Sequence, residues 1–238
     1  MNVEIYSVAT TKRYLLEYLN NFNDKLSYNQ SIIIPEKLKE IIPSNLNLKV
    51  IEIKKIDVQD LRILSRHPKF CPHIYFKGPT IYHDTNIKLN KEFLNKTFSE
   101  KYFNDNDILT YHHSRRKFII QEIIYLFFVG KFTLLQTFQA IYIYKNHLYK
   151  RLLMGGIIFN KNTENSISIS SKIWKEYSKL NLKRDQLVLS KYFHHFKRPK
   201  FNPLDENIVS YEAHSEFNNN LKDKSIRKIL IKIKNRLK

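Results

Sequence analysis

A predicted strand over residues 80–84 ends on two side chains that carry oxygen ligands. The strand contains the β-branched and aromatic residues that strands favour, and Asp84 and Asn86 stand at its end, two residues apart. In an open α/β sheet, ligands bind beyond the carboxyl ends of the strands. Oxygen ligands at such an end can hold a divalent cation, and the cation can carry a diphosphate. The alternative is that Asp84 stabilises a turn or begins a helix.

Strand and helix patterns alternate along most of the chain. Strands are predicted at residues 3–8, 31–34, 48–53, 80–84, 107–112 and 156–160. The main helices are predicted at residues 11–19, 57–66, 115–129, 133–151, 166–180 and 185–196. This alternation predicts a single α/β domain, residues 1–215, with a mainly parallel central sheet flanked by helices.

The composition predicts a globular protein in a reducing, cytoplasmic setting. Of its 238 residues, 42% are hydrophobic, and no signal peptide is evident at the start. The longest apolar stretch, residues 118–129, is too short to span a membrane and predicts a buried helix. The single cysteine, Cys71, cannot form an intramolecular disulfide.

The four glycines exclude the common phosphate-binding loops. They lie at positions 78, 130, 155 and 156, and no pair has the spacing of a dinucleotide fingerprint or a P-loop. If the protein handles phosphates, it must therefore use a metal ion or basic side chains.

The formal net charge of +19 is compatible with several kinds of partner. Nucleic acid, an anionic membrane and a phosphate-rich substrate all attract such a chain, but a general excess of lysine would also produce it. The tail, residues 216–238, predicts a basic amphipathic helix that either lies on an anionic membrane or docks on the domain's own core. Its apolar stripe consists of Ile226, Ile229, Leu230, Ile233 and Leu237.

Three further segments, taken with this strand end, resemble a known family. They are RHPKFCPHIYFKGPTIYHDTN at residues 66–86, HHSRRKFIIQE at residues 112–122, and a Trp174 segment followed by Arg-Asp-Gln-Leu at residues 184–187. In this order they resemble the glycosyltransferase-like family formerly catalogued as domain of unknown function 616. That family includes plant proteins related to mucilage and turgor defects and bacterial polysaccharide-locus proteins. The resemblance covers residues 3–196 and implies a fold of the GT-A type.

The resemblance also implies an activity, its partners and its site residues. The implied reaction transfers a sugar from a nucleotide-sugar donor to a glycan or lipid-linked acceptor, with Mn²⁺ or Mg²⁺, in the cytoplasm or peripherally on the inner face of a membrane. Asp185 is the implied catalytic residue, which either contacts the donor sugar or deprotonates the acceptor hydroxyl. The implied metal ligands are Asp84, Asn86 and His214, and the implied donor or substrate contacts are Arg66, Lys69, His113, Arg116, Glu122, Arg184 and Gln186.

Each of these roles has a structural alternative. Arg116 and Glu122 could form a network that holds a helix to the sheet, Asp185 could be a helix N-cap, and Trp174 is predicted to be a core residue. The chain also departs from the family pattern at three positions, with Thr85 in place of a glycine, Ser114 in place of a proline and Ile120 in place of a tyrosine. Ser114 is predicted to take over the helix-starting role of the proline by acting as an N-cap.

Two rival functions remain open. A nucleic-acid-binding protein would explain the charge, but the basic residues are spread out and no RNA- or DNA-binding signature is present, so nucleic acid is not the expected partner. A non-catalytic glycan-binding relative of the same fold would explain the departures at Asn86 and Ile120.

Overall fold

The central element of the fold is a six-stranded mixed sheet. The computed structural model describes residues 3–54, 60–92, 94, 107–196 and 210–211. The sheet consists of β1 (Glu4–Val8), β2 (Asn29–Ile34), β3 (Lys49–Glu52), β4 (Thr80–His83), β6 (Ile108–His112) and β7 (Leu153–Asn160). Two short strands, β5 (Ile87–Lys88) and β8 (Ser210–Tyr211), form a separate antiparallel pair.

The strand order is β3-β2-β1-β4-β7-β6. Strands β3, β2, β1 and β4 are parallel to one another, whereas β7 is antiparallel to both of its neighbours, β4 and β6. The predicted α/β fold with a mainly parallel sheet is confirmed, and β7 is the one strand that runs against the other five in this sheet.

The bounds of six α-helices are defined by the described residues. They are α1 (Lys12–Asn21), α2 (Leu61–Phe70), α3 (Ile119–Phe128), α4 (Leu134–Ile143), α5 (Glu164–Lys179) and α6 (Asp185–Lys191). Short 3₁₀ helices span Glu36–Ile41, Pro72–Ile74 and Phe193–His195. The helix predicted at residues 133–151 ends at Ile143 and continues as a series of turns.

Helix α3 begins later than predicted. Its first turn is capped by Gln121, whose side-chain oxygen accepts the backbone N–H groups of Lys117 (2.6 Å) and Phe118 (3.1 Å). The predicted N-cap role of Ser114 is therefore wrong, because the helix starts five residues after it.

The sheet is covered on both faces. Alternate residues of a strand point to opposite sides, so Tyr6 and Tyr82 pack with helices α2 and α5, whereas Ile5 and Ile81 pack in a second core on the other side. All four residues of β4 and all eight of β7 are buried. These two strands therefore form the rigid centre that positions the candidate site.

The apolar stretch predicted as a buried helix is buried on only one face. Ile119, Ile123 and Leu126 of α3 are fully buried against α4 and α6, but Ile124 and Phe127 are 44% and 38% exposed. Within the described part of the chain, none of the helices has the length and apolar character needed to cross a membrane. The predicted tail helix at residues 216–238, and with it the domain boundary, lies outside the described residues.

Candidate active site

Asp84 lies directly after the last residue of β4, at the carboxyl end of this central strand. Its backbone N–H donates to the carbonyl of Gly156 on β7 (2.8 Å). The hydroxyl of Tyr82 donates to Asp84 Oδ1 (2.5 Å), as two residues of one strand on the same face can do. About a third of the Asp84 side chain is exposed. Asp84 is therefore a fixed carboxylate that a ligand can reach.

The turn after Asp84 is anchored to α1. The hydroxyl of Thr85 donates to Glu17 Oε2 (2.6 Å), and the amide of Asn21 donates to the Thr85 carbonyl (3.3 Å). Thr85 does not have a positive φ, so the backbone at this position does not require the glycine of the family pattern. Asn86 is only 1% exposed, so of this pair Asp84 offers the accessible oxygen.

Lys69 lies between two carboxylates. This residue of α2 places its Nζ 2.5 Å from Asp185 Oδ2 and 3.6 Å from Asp84 Oδ1, and its side chain is fully buried. Its ammonium also lies 4.8 Å from the centroid of the Tyr82 ring. Burying a charge is costly even when it is paired, so such a cluster is weak evidence for stability and a good indicator of function.

Asp185 is held by two cations. Asp185 Oδ2 contacts Lys69 Nζ, and Arg66 Nε lies 3.1 Å from the same oxygen. Burial by itself raises the pKa of the Asp185 carboxyl, but the charges of Lys69 and Arg66 outweigh it and hold the pKa well below its usual range. Asp185 is therefore ionised at neutral pH.

Asp185 is not a helix N-cap. It is the first residue of α6, and the N-cap position is occupied by Arg184, whose side chain makes no capping bond. Asp185 Oδ1 accepts the backbone N–H of the next residue, Gln186 (3.0 Å), and its Oδ2 faces the cations. The structural alternative of an N-cap is wrong, because the carboxylate points its second oxygen into the cluster.

Two adjacent glycines on β7 leave room for these side chains. A Cβ on Gly155 would lie 3.3 Å from Lys69 Nζ and 3.5 Å from Asp185 Oδ2, and one on Gly156 would lie 3.3 Å from Asp84 Oδ2. The sequence analysis missed both glycines and Tyr82 as site residues. The available signal was a glycine pair inside a strand, which often marks a close approach to the backbone.

A second cluster surrounds Glu122, which is fully buried in the first turn of α3. Arg116 Nε lies 2.5 Å from its Oε2, and Arg184 donates from Nη2 to its Oε1 (3.0 Å). The guanidinium of Arg116 also lies over the ring of Tyr125, 4.0 Å from its centroid. Two guanidinium groups thus share one carboxylate, so the cluster carries a net positive charge.

His113 belongs to the second cluster as a neutral side chain. Its Nδ1 accepts the backbone N–H groups of Arg115 (3.1 Å) and Arg116 (3.2 Å), and its Nε2 lies 2.7 Å from Arg116 Nη2. Burial and then the positive charges of the neighbouring arginines lower the pKa of His113 to about 4. The ring is therefore uncharged at neutral pH.

The two clusters are joined through consecutive residues, Arg184 and Asp185. The structure thus brings together eight of the predicted residues: Asp84, Lys69, Arg66 and Asp185 in one cluster, and His113, Arg116, Glu122 and Arg184 in the other. Gln186 is half-buried in the first turn of α6, and His214 lies outside the described residues. Trp174 packs against the core, with its ring centroid 4.9 Å from that of His67, so its predicted core role is confirmed.

The described residues do not make a metal site by themselves. Among them, no three His, Cys, Asp or Glu side chains are placed to hold a metal ion. Of the predicted ligands they supply the Asp84 carboxylate, which already has the Lys69 ammonium 3.6 Å away, and the nearly inaccessible Asn86. Mg²⁺ is usually bound by one or two carboxylates together with waters and substrate phosphates, so Asp84 can contribute one ligand to an ion that arrives with a diphosphate.

The chain was compared with known proteins. No family model matches it, and no curated protein matches it. These results do not support membership of the family formerly catalogued as domain of unknown function 616, which stays a prediction.

Several solved structures share features of the fold. The apo-form glycosyltransferase GlyE of Streptococcus pneumoniae TIGR4 has a TM-score of 0.49 and 11% identity, over 84% of this chain and 45% of that one. Apo mouse xyloside xylosyltransferase 1 has a TM-score of 0.49 and 10% identity, over 85% and 86% of the two chains. For 4-diphosphocytidyl-2C-methyl-D-erythritol synthase from Anaerococcus prevotii DSM 20548 the values are 0.43 and 10%, over 82% and 86%. All three TM-scores are below 0.5, so these similarities do not indicate a function for this chain.

Proposed function

We propose that the protein is a glycosyltransferase that moves a sugar from a nucleotide-sugar donor to a glycan or lipid-linked acceptor. The observation that carries the proposal is the buried Lys69 ammonium held between Asp84 and Asp185 beyond the end of β4. This edge of an α/β sheet is where ligands bind. The resemblance of the sequence motifs suggests the reaction class, and the geometry suggests the role of each residue.

The cations of the site would stabilise the leaving group. When the bond between the sugar and the donor's phosphate breaks, negative charge develops on the departing diphosphate. Fixed positive groups in a partly buried site stabilise such charge more strongly than water does. Arg66, about a third exposed, can present its guanidinium to a phosphate, and the fully buried Lys69 holds Asp84 and Asp185 in place beside it.

The pKa of Asp185 favours one of its two candidate roles. An efficient general base has a pKa near the working pH, whereas the pKa of Asp185 lies well below its usual range under the influence of Lys69 and Arg66. We therefore assign Asp185 to the donor sugar. In that role a carboxylate oxygen of Asp185 accepts a hydrogen bond from a sugar hydroxyl, and its negative charge stabilises the positive charge that develops on the sugar.

A divalent cation enters the proposal only together with the donor. Asp84 would hold Mn²⁺ or Mg²⁺ together with the bound donor, and the ion would neutralise negative charge on the diphosphate. Because the described residues supply too few ligands for a resident metal, no other part of the proposal depends on this ion.

The test is a thermal-shift panel of UDP-, GDP-, CMP- and dTDP-sugars, each with Mn²⁺ and with a chelator. Specific binding raises the apparent stability by mass action, so the nucleotide that raises Tm identifies the donor class. Asp84→Asn should abolish the Mn²⁺-dependent part of that shift. The matched control is Glu52→Gln, which alters a surface carboxylate paired with Lys39 and should leave the shift unchanged.

The activity is tested with Asp185→Asn. Because the change also removes the charge that pairs with the buried Lys69 ammonium, wild type and variant are compared at a temperature at which circular dichroism shows both to be folded. The folded variant should keep donor affinity within a few-fold of wild type and lower the transfer rate by about 10² or more. Full activity in the variant would overturn the assigned role.

Glycan and nucleic-acid ligands, tested beside the nucleotide-sugar panel, separate the rival functions. Glycan binding without any nucleotide-sugar shift would indicate a non-catalytic relative. Salt-dependent binding of generic DNA or RNA, stronger than any nucleotide-sugar effect, would indicate a nucleic-acid-binding protein.

A further inference from the structure

Helix α4 turns its large apolar side chains to solvent and its small side chains to the protein. Thr137 and Ala140 are buried against the rest of the domain. Leu135, Phe138 and Tyr142 are 68%, 61% and 72% exposed. A surface helix of a soluble domain normally has the opposite arrangement, with its apolar stripe inward.

The exposed apolar surface extends beyond α4 to the helix that packs against it. We call this surface the hairpin face; it consists of Ile124, Phe127, Leu134, Leu135, Phe138 and Tyr142. Single exposed apolar residues are common, but a group of six on one helical hairpin is unusual in a monomeric soluble protein. Such a surface indicates a binding partner.

The charges around the hairpin face are almost all positive. Residues 115–151 contain seven lysines and arginines and a single acidic residue, Glu122. That glutamate is buried and paired with Arg116 and Arg184, so it offsets the charge of these arginines and not that of the exposed lysines. Lys131 and Lys145 are exposed, and Lys145 lies 5.1 Å from the centroid of the Tyr142 ring. The partner must therefore be both apolar and negatively charged.

We propose that the hairpin face binds the surface of an anionic lipid bilayer. Leucine and phenylalanine side chains can insert at the boundary between headgroups and acyl chains, Tyr142 suits the interface, and the surrounding lysines face the anionic headgroups. A second copy of the chain is a poorer partner, because it would bring another positive hairpin and a formal charge of +19. The chain's own residues 220–238 are also a poorer partner, because they carry eight basic residues and one acidic residue.

Helix α3 carries residues of both the hairpin face and the candidate active site, but on different sides: Glu122 is fully buried, whereas Ile124 and Phe127 are 44% and 38% exposed. The docking proposal does not depend on the proposed activity, and its test uses no nucleotide or sugar.

The test is co-sedimentation of the full-length protein with phosphatidylcholine vesicles that contain or lack phosphatidylglycerol. Wild type should bind the anionic vesicles, and the binding should weaken with salt. The triple variant Leu135→Ser/Phe138→Ser/Tyr142→Ser should partition into them about tenfold or more weakly, because less apolar surface is buried. The matched control is Tyr14→Ser/Leu16→Ser, which removes two exposed apolar side chains from α1 and should bind like wild type.

Two further variants keep the test decisive. If circular dichroism shows that the triple variant does not fold, Phe138→Ser takes its place, and its vesicle binding should be weakened in the same direction but by less. Lys117→Glu/Lys145→Glu should weaken binding at low salt and have little effect at high salt.

Three outcomes would overturn the proposal. They are no binding of wild type to anionic vesicles, equal binding of wild type and a folded triple variant, and a dimer that the triple variant dissociates without any change in vesicle binding. The second outcome would assign membrane binding to a surface other than the hairpin face, and the third would identify that face as a contact between copies.

Discussion

Replacement of Lys69 by methionine tests whether its ammonium holds the candidate site together. Methionine keeps the apolar stem and removes the charge that lies 2.5 Å from Asp185 and 3.6 Å from Asp84. Removing one member of a buried ion pair typically costs about 3–5 kcal/mol, because the other member stays buried without compensation. Arg66 remains 3.1 Å from Asp185, so we expect the lower end of this range, about 3 kcal/mol.

The assay is urea unfolding followed by circular dichroism. A loss of about 3 kcal/mol corresponds to a decrease of about 1 M or more in the urea midpoint at ordinary denaturant slopes. The matched control is Lys39→Met, since Lys39 pairs with Glu52 at 3.3 Å on the surface, with both side chains more than 40% exposed. That control should cost less than about 1 kcal/mol.

The pH dependence gives an independent test of the same reasoning. Burial raises the pKa of Asp185, but Lys69 and Arg66 lower it below the value of an unfolded aspartate, about 3.9. The stabilisation is therefore present above about pH 4 and is lost as the pH falls further. In Lys69→Met the folded pKa moves towards the unfolded one, so acidification from about pH 6 to about pH 3 should destabilise the variant less than wild type. Equal midpoints for Lys69→Met and Lys39→Met, or parallel pH profiles for wild type and Lys69→Met, would refute the reasoning.

Three further substitutions and one control, Gly130→Ala, test the surroundings of the site. Gly156→Ala places a Cβ 2.9 Å from Ile87 Cδ1, so it should lower the free energy of unfolding by about 1–3 kcal/mol and weaken nucleotide binding. Gly130 has a φ of +70° and open space around it, so Gly130→Ala should cost about 1–2 kcal/mol through backbone strain alone and leave nucleotide binding unchanged. Glu122→Gln should lower the free energy of unfolding by about 3 kcal/mol in urea, because Arg116 and Arg184 lose their shared carboxylate; a loss below about 1 kcal/mol would contradict the buried network. Because the pKa of His113 is lowered from 6.5 to about 4, the free energy of unfolding of wild type should fall as the pH decreases through this interval. His113→Gln should flatten this part of the plot of stability against pH. An unchanged slope in the variant would mean that the pKa of His113 is not lowered in the folded protein.

The sequence by itself was sufficient to predict the main elements and their order. Strand-forming runs bounded by turn residues predicted all six strands of the central sheet, and Asp84 was correctly placed at the end of β4. These features are local, because strand propensity and apolar periodicity are properties of a few consecutive residues. The predicted α/β class followed from the alternation of those elements.

Only the tertiary structure decided which side chains meet. Lys69 and Asp185 are 116 residues apart in sequence, and their contact depends on how α2, β4, β7 and α6 pack together. The direction of β7 was equally inaccessible, because a fully buried strand has the same apolar composition whether it runs parallel or antiparallel. Helix α4 is the clearest case: its sequence is apolar nearly all round, so no periodicity indicated which face packs inward. Packing selected Thr137 and Ala140 because small side chains allow two helices to approach closely, and it left Leu135 and Phe138 exposed to solvent.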